Sequence, residues 1–293
     1  MNPAPKTPSA PLRLRRAESP GAGLRRIARG QIATACRSLE GSGDPHEAVH
    51  EARKALKKLR ALLRLAAPEW SRARLRAENQ PFREAARLLA PLRDAQVRLQ
   101  SFDTLIREAE LTPAEFAAAR AALEDASQRL ARGAGRRKRQ AAALLHTART
   151  RLRHWRLGGL DEESLEREIR RSYRKARKAL ALYQQTPSPA TLHAWRKRMK
   201  TLGYHLRIVR GFLSARAKKA ITALDAMGEA AGNVHDLAVL REALAGVKAG
   251  VQTALLVGEI ERLIPGSTRA LLTRGAAFYR KGPQAFARRL GRD

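Results

Sequence analysis

The sequence predicts an all-α protein, and three observations carry that prediction. Ala, Leu and Arg dominate the composition, and all three favour the helix. Apolar residues recur at helical spacing in one segment after another, while alternating β-branched runs are few. One helical pattern is also written twice along the chain. At 293 residues and 44% hydrophobic, the chain can bury one large core, or form two fused halves with a core each.

The elements follow in order. Residues 1–23 are rich in Pro, Ser, Ala and Gly, lack a continuous apolar run, and predict a flexible lead-in rather than a signal peptide. Helices are predicted near 24–40, 45–66, 70–90, 92–110, 113–131 and 136–155. A second series is predicted near 161–185, 189–213, 216–231, 234–248, 251–264 and 267–290. Turn signals such as EGSGDP, APE, LTP, RGAG, LGGLDEE, QTPSP, IPGS and KGP separate them. Asp44 before Pro45 is a good helix start, and Glu47 three residues on makes a variant capping box. Arg93-Asp94 and His235-Asp236 each follow a break, so Asp94 and Asp236 are expected as N-caps or as buried ion-pair anchors. The single Cys36 excludes an internal disulfide, fits a reducing cytoplasm, and is expected to pack as a small apolar residue. No apolar run reaches the roughly 18 residues of a membrane span.

The repeat divides the chain into related halves, about 24–155 and 160–291. Shifted by 143 positions, VHEARKALKKLRALLRL lies on LHAWRKRMKTLGYHLRIV. His50 then falls on His193, Arg53 on Arg196, Lys54 on Lys197, Lys57 on Lys200 and Arg64 on Arg207. Further on, LRDAQV matches VHDLAV, with Asp94 against Asp236 and a His-to-Asp spacing that differs by one residue. On a helix, the positions of His50, Arg53, Lys54, Lys57, Ala61 and Arg64 share one face. So do those of His193, Arg196, Lys197, Lys200, Tyr204 and Arg207. Each strip is about 20 Å long at ~1.5 Å per residue. No acidic residue stands within either, although i,i+4 pairing normally intersperses Glu and Asp on a solvated helix. Two such strips predict a face that binds anions.

The charge balance agrees. Lys and Arg total 59 against 27 acidic residues, a net +32, so the compact state repels itself unless a polyanion relieves it. Three Trp, four Tyr and six Phe are too few to build a platform for stacking bases. A polyanion without bases needs only cations.

Other spellings are weaker. His46-Glu47-Ala48-Val49-His50 matches the zinc signature H-E-x-x-H. Glu47 is better explained as a helix-start residue, only His50 is doubled, and a field of Arg and Lys opposes a dication. No metal site and no cofactor are expected. Glu166, Glu168 and Arg170 spell E-x-E-x-R, like the carboxylates of triphosphate tunnel enzymes, but on a helix alternate residues point apart. No Walker A sequence and no G-x-S-x-G elbow is present, so no catalytic residue is expected. His146, His154 and His205 stand outside the pattern and are expected at the surface or in a groove.

The doubled His-x-x-Arg-x-x-x-Lys strip, with LRDAQV and VHDLAV downstream, resembles the CHAD family, the conserved histidine α-helical domain. The likeness runs over nearly the whole chain from about residue 24. It implies two related four-helix bundles with pseudo-twofold symmetry around a basic central groove or pore. It also implies binding of inorganic polyphosphate on that surface, in some members at polyphosphate granules. Other members sit beside a triphosphatase domain; here a stand-alone, non-enzymatic binder is expected. This chain departs from the family pattern at Gly203, where an Arg often precedes Tyr204, and at Gln96, where RDxD has its second Asp. Arg60 keeps the cation in the first strip. The expected phosphate contacts are Arg53, Lys54, Lys57, Arg60 and Arg64 from one half, and Arg196, Lys197, Lys200 and Arg207 from the other. His50 and His193 join them as hydrogen-bond donors or as residues that orient their neighbours, and Tyr204 stands on the same binding face. Arg174, Arg177 and Lys178, one helix earlier, extend the surface. Nucleic acid, held through its phosphates alone, is the alternative ligand and is expected as a weaker competitor.

Overall fold

The structure, a computed structural model, describes residues 11–246 and 250–291. Every regular element among them is helical. The first series gives α1 (Pro20–Glu40), α2 (Pro45–Leu65), α3 (Arg72–Leu88), α4 (Ala90–Glu108), α5 (Ala117–Arg132) and α6 (Ala134–Arg151). The second gives α7 (Glu162–Gln185), α8 (Pro189–Ile208), α9 (Arg216–Ala245), α10 (Gly250–Phe278) and α11 (Pro283–Leu290).

Their starts follow local chemistry. Asp44 accepts hydrogen bonds from the backbone N–H of His46 and Glu47, as its place before Pro45 predicts. Asp161 and Ser188 open α7 and α8 with reciprocal caps, Ser164 and Thr191 supplying the return bond.

In the first series α1, α2, α3 and α6 pack in a closed ring; in the second, α7, α8, α9 and α11 do the same. The two rings meet where α2 lies against α8. One large core runs through that contact, from Leu56 and Leu62 of α2 to Trp195 and Met199 of α8. The series therefore share a core instead of holding one each. A smaller core, with Phe102, Phe116, Leu240 and Ile260, joins α4 and α5 to parts of α9 and α10.

Four expectations need correction. The predicted helices 216–231 and 234–248 form one continuous helix through Ala245, because Gly232 marks a close approach and not a break. The break expected at IPGS is likewise absent: α10 runs through Pro265, carried by a buried side that continues from Ile260 through Ile264 to Leu271. Asp94 and Asp236 lie inside α4 and α9, so neither is an N-cap. The predicted lead-in packs over its described part. Leu14 is fully buried and donates its backbone N–H to Ile208, Glu18 pairs with Arg26, and α1 begins at Pro20; residues 1–10 lie outside the described residues.

Gly21 shows how tightly that start is held. A Cβ at this position would collide with the Leu157 carbonyl and its Cβ, and backbone cannot swing aside as a side-chain tip can. Gly21→Ala is expected to destabilise the protein by about 1–3 kcal/mol, the usual range for overpacking, read as a lower midpoint in thermal or urea unfolding.

Candidate anion-binding site

The contact of α2 with α8 begins as ordinary hydrophobic packing. Leu56, Leu59, Leu62 and Leu63 are buried on α2, and Leu192, Trp195, Met199, Leu202 and Leu206 on α8. A buried histidine ties it. His205, expected at the surface or in a groove, is fully buried because α2 and α7 close over it. Its Nε2 donates to the Ala61 carbonyl of α2 at 2.9 Å, and its Nδ1 lies 2.9 Å from Ser172 Oγ of α7. Burial holds its pKa down at about 3, so it carries no charge into the core.

With their apolar sides turned together, α2 and α8 bring their cationic flanks close. Lys57 is exposed to solvent, yet burial among the helices pushes its amine down to about 8, with Arg196, Arg53, Arg93 and Lys200 adding repulsion. These cations come from α2, α4 and α8. His193 is lowered to about 4, by burial first and then by Lys197, His235, Arg196 and Lys57. His50 is also lowered, by burial, Arg93 and Lys54. Both imidazoles are therefore neutral at physiological pH, so each has one N–H to donate.

Counter-ions are few. Arg53 donates to the Ala86 carbonyl at 3.0 Å and lies 3.9 Å from Asp94. Burial raises the pKa of Asp236 against the opposing pull of Arg196, His235, Arg93 and Lys57. Nδ1 of His193, Nδ1 of His235 and Nε of Arg53 are buried with no protein partner. An anion among these groups would meet both charge and unpaired polar atoms. Among the described residues no three His, Cys, Asp or Glu side chains gather as a metal site would require.

The structure sorts the predicted residues. Arg53, His193, Arg196 and Lys200 come together around Lys57, and His50 joins the group through Arg93, which acts on both. Lys197 stands beside Arg60, whose Nε donates to Asn79 at 3.3 Å. Tyr204 lies beside Arg207, which is paired with Asp225 of α9. Lys54 pairs with Glu51 at 2.7 Å. The strips are thus free of acid in their own spelling, but Glu51, Asp94 and Asp225 reach them from the side. Arg64 turns away from Lys57 and donates to Thr201 at 2.9 Å, with Arg198 and Lys175 nearby. Arg174, Arg177 and Lys178 are exposed on α7, and Arg177 stands by Tyr173, whose ring stacks on Phe286 of α11. On α7, Arg174 and Lys178 stand three residues, about one turn, beyond Arg171 and Lys175.

Two contributions were missed. Arg93 and His235 occupy aligned positions in LRDAQV and VHDLAV, and each packs toward the strip histidine of its own half. Arg93 acts on His50, and the His235 ring lies 4.7 Å from that of His193. The second is a pair of glycines. A Cβ on Gly228 would lie 2.9 Å from Lys200 Cε, and one on Gly232 would lie 2.9 Å from an Arg196 guanidinium nitrogen. Arg196 Nε also donates to the Gly228 carbonyl at 3.2 Å. The G-x-x-x-G spacing in α9 was the signal, since it leaves one helix face bare enough for two long side chains to lie across it.

Fold and cluster together define an all-helical protein with a lightly compensated cationic centre. The chain belongs to the CHAD domain family, whose pattern matches residues 26–245. The solved CHAD domain of the plant Ricinus communis is similar, with a TM-score of 0.72 and 19% identity, over 94% of this chain and 96% of that one. PptA from Streptomyces chartreusis has a TM-score of 0.62 and 17% identity, over 89% of this chain and 99% of its own. Likenesses at that identity speak for the fold. A comparison with curated proteins finds no match.

Lys57 gives the cluster a readable titration. Its amine is expected to titrate near pH 8, and Arg196→Gln to move it upward, as followed by NMR of the lysine side chains. The unfolded lysine keeps its proton to its ordinary value, so between about 8 and that value the unfolded state binds more protons. Ligand-free stability should therefore rise as pH climbs through this window and fall as pH drops back through 8.

Proposed function

We propose that this chain binds inorganic polyphosphate along a groove between α2 and α8, without turning it over. The observation that carries the reading is Lys57, open to solvent and crowded by cations from three helices. A linear anion laid there replaces repulsion among these groups with attraction. Arg53 and Arg196 offer planar forks for phosphate oxygens, Lys57 and Lys200 point charges, and His50 and His193 neutral donors. Among the described residues no Trp, Tyr or Phe side chain is exposed, which favours a ligand without bases. Family membership supports the same class of ligand. On this reading the protein works in the cytoplasm or on polyphosphate granules, and incubation with polyphosphate and Mg²⁺ or Mn²⁺ releases no phosphate.

Competition at physiological salt tests the ligand: long-chain polyphosphate should displace RNA or duplex DNA at much lower phosphate concentration. The logarithm of affinity should fall with that of salt, with ~0.7 per phosphate contacted as a guide slope from single strands. Lys57→Glu and Lys200→Glu should each weaken long-chain binding by more than the ~0.2–1 kcal/mol of an exposed pair, and the double variant further, with helicity retained in circular dichroism. Nucleic acid holding its place against polyphosphate, or wild-type affinity in both variants, would contradict the reading.

Binding should also depend on pH. A bound anion raises the Lys57 pKa, so the complex takes up a proton once the free amine begins to lose its own near 8. Affinity should hold below pH 8 and decline above it. Lys57→Arg, which stays charged, should flatten that decline, as measured by titration calorimetry across pH 7–10 in buffers of different ionisation enthalpy.

A further inference from the structure

A second basic site lies at the same helix pair, bounded by α3 and α7 where the Lys57 cluster is bounded by α4 and α9. There a cavity of about 130 Å³ is lined by Arg64, Arg171, Lys175, Arg198, Ser172 and Thr201. We propose that this cavity holds one terminal-type phosphate group, either orthophosphate or the end group of a phosphate chain. The inference stands whether or not long chains bind at Lys57.

Size points to a single group. Pockets for nucleotide- or drug-sized ligands run to about 300–1,000 Å³. This one is well below that range and suits an ion with a little water.

Charge points to an anion. Four cations face one carboxylate, Glu168, which Arg171 already engages at 3.2 Å. Among the described residues Arg198 has no ion-pair partner, and Lys175 has only the more distant influence of Glu168 against those of Arg171, Arg198 and Arg64. Arg64 is held in place by Thr201, so its fork is fixed before a ligand arrives.

The hydroxyls decide which anion. His205 Nε2 carries the ring proton, because it faces the Ala61 carbonyl; Nδ1 must then accept, and Ser172 Oγ–H donates to it. Thr201 Oγ1 donates its own proton to the Lys197 carbonyl while accepting from Arg64. Neither hydroxyl has a proton left for a ligand. All donors into the cavity are thus cationic, which suits an oxyanion with several free, unprotonated oxygens. An end phosphate has three such oxygens and up to two charges; an internal unit has two and one, and two bridging oxygens that would leave donors unpaired.

Calorimetric titration of the full chain at low salt, with orthophosphate, linear tripolyphosphate and cyclic trimetaphosphate, tests this. Wild type, Lys57→Glu, Lys175→Glu and Arg198→Gln are compared, each checked for helicity. The Lys57→Glu background weakens the groove, so binding that persists there and falls with Lys175→Glu belongs to the cavity. Lys175→Glu should weaken cavity binding by about tenfold or more, because it replaces attraction with repulsion where four cations converge on one small anion. It should change long-chain affinity by about fivefold or less, because Lys175 stands outside the group of cations around Lys57. Arg198→Gln guards against a misfolded first variant. Binding of orthophosphate with this pattern identifies free phosphate as the ligand, and binding of only the linear oligomer identifies a chain end. The proposal is overturned if neither variant moves the isotherms, or if the cyclic anion, which has no end, binds as tightly as the linear one.

Discussion

Two helices with like-charged flanks, α2 and α8, are pressed together, and the rest of the molecule is arranged to keep them so. Mutual repulsion around Lys57 opposes the contact. Against it stand the buried leucines of α2 and the Trp195, Met199 and Leu206 of α8, each large side chain contributing roughly 1.5–3 kcal/mol. His205 adds a directional tie between α2, α7 and α8, and its neutrality matters as much as its bonds. A charged residue at that place would add one more cation to a molecule that already has an excess of them. The apolar interior thus holds together an electrostatic arrangement that the charged groups alone would push apart.

The aromatic residues belong to this division of labour. Trp70 meets Trp155 edge-on at 5.0 Å, and Tyr173 stacks on Phe286 at 4.1 Å where α11 closes the second ring. Trp155 Nε1 donates to Glu78, so even the polar tip of that ring is used within the fold. Large rings stabilise the interior and leave the surface to flexible cations. A chain so poor in aromatics cannot do both.

Much of this was legible in the sequence, for identifiable reasons. Helical period, the cap at Asp44 and the turn signals LGGLDEE and QTPSP are local properties, and the helices they announce are there. The doubled strips placed Lys57 and Lys200 on their faces, because a repeat spacing of 3.6 residues is all that a face requires. What a face meets is not local. Arg64 belongs to the same strip as Lys57, but two turns further on the neighbours are Thr201 of α8 and Lys175 of α7. Gly232 looked like punctuation because a glycine in a string is the same letter whether it breaks a helix or makes room beside one. Arg93 and His235 stand beside the aspartates of their motif, and their proximity to His50 and His193 depends on how α4 and α9 pack.

The bare face of α9 has a further consequence. Because Gly228 and Gly232 offer no side chains, the stems of Lys200 and Arg196 rest against helix backbone instead of sweeping through solvent. A free lysine or arginine loses up to about 2 kcal/mol of rotamer freedom when it is immobilised. Here part of that ordering has already taken place when the chain folds. An arriving anion meets arms that are already extended, so less of its attraction is offset by loss of motion, and more remains as grip.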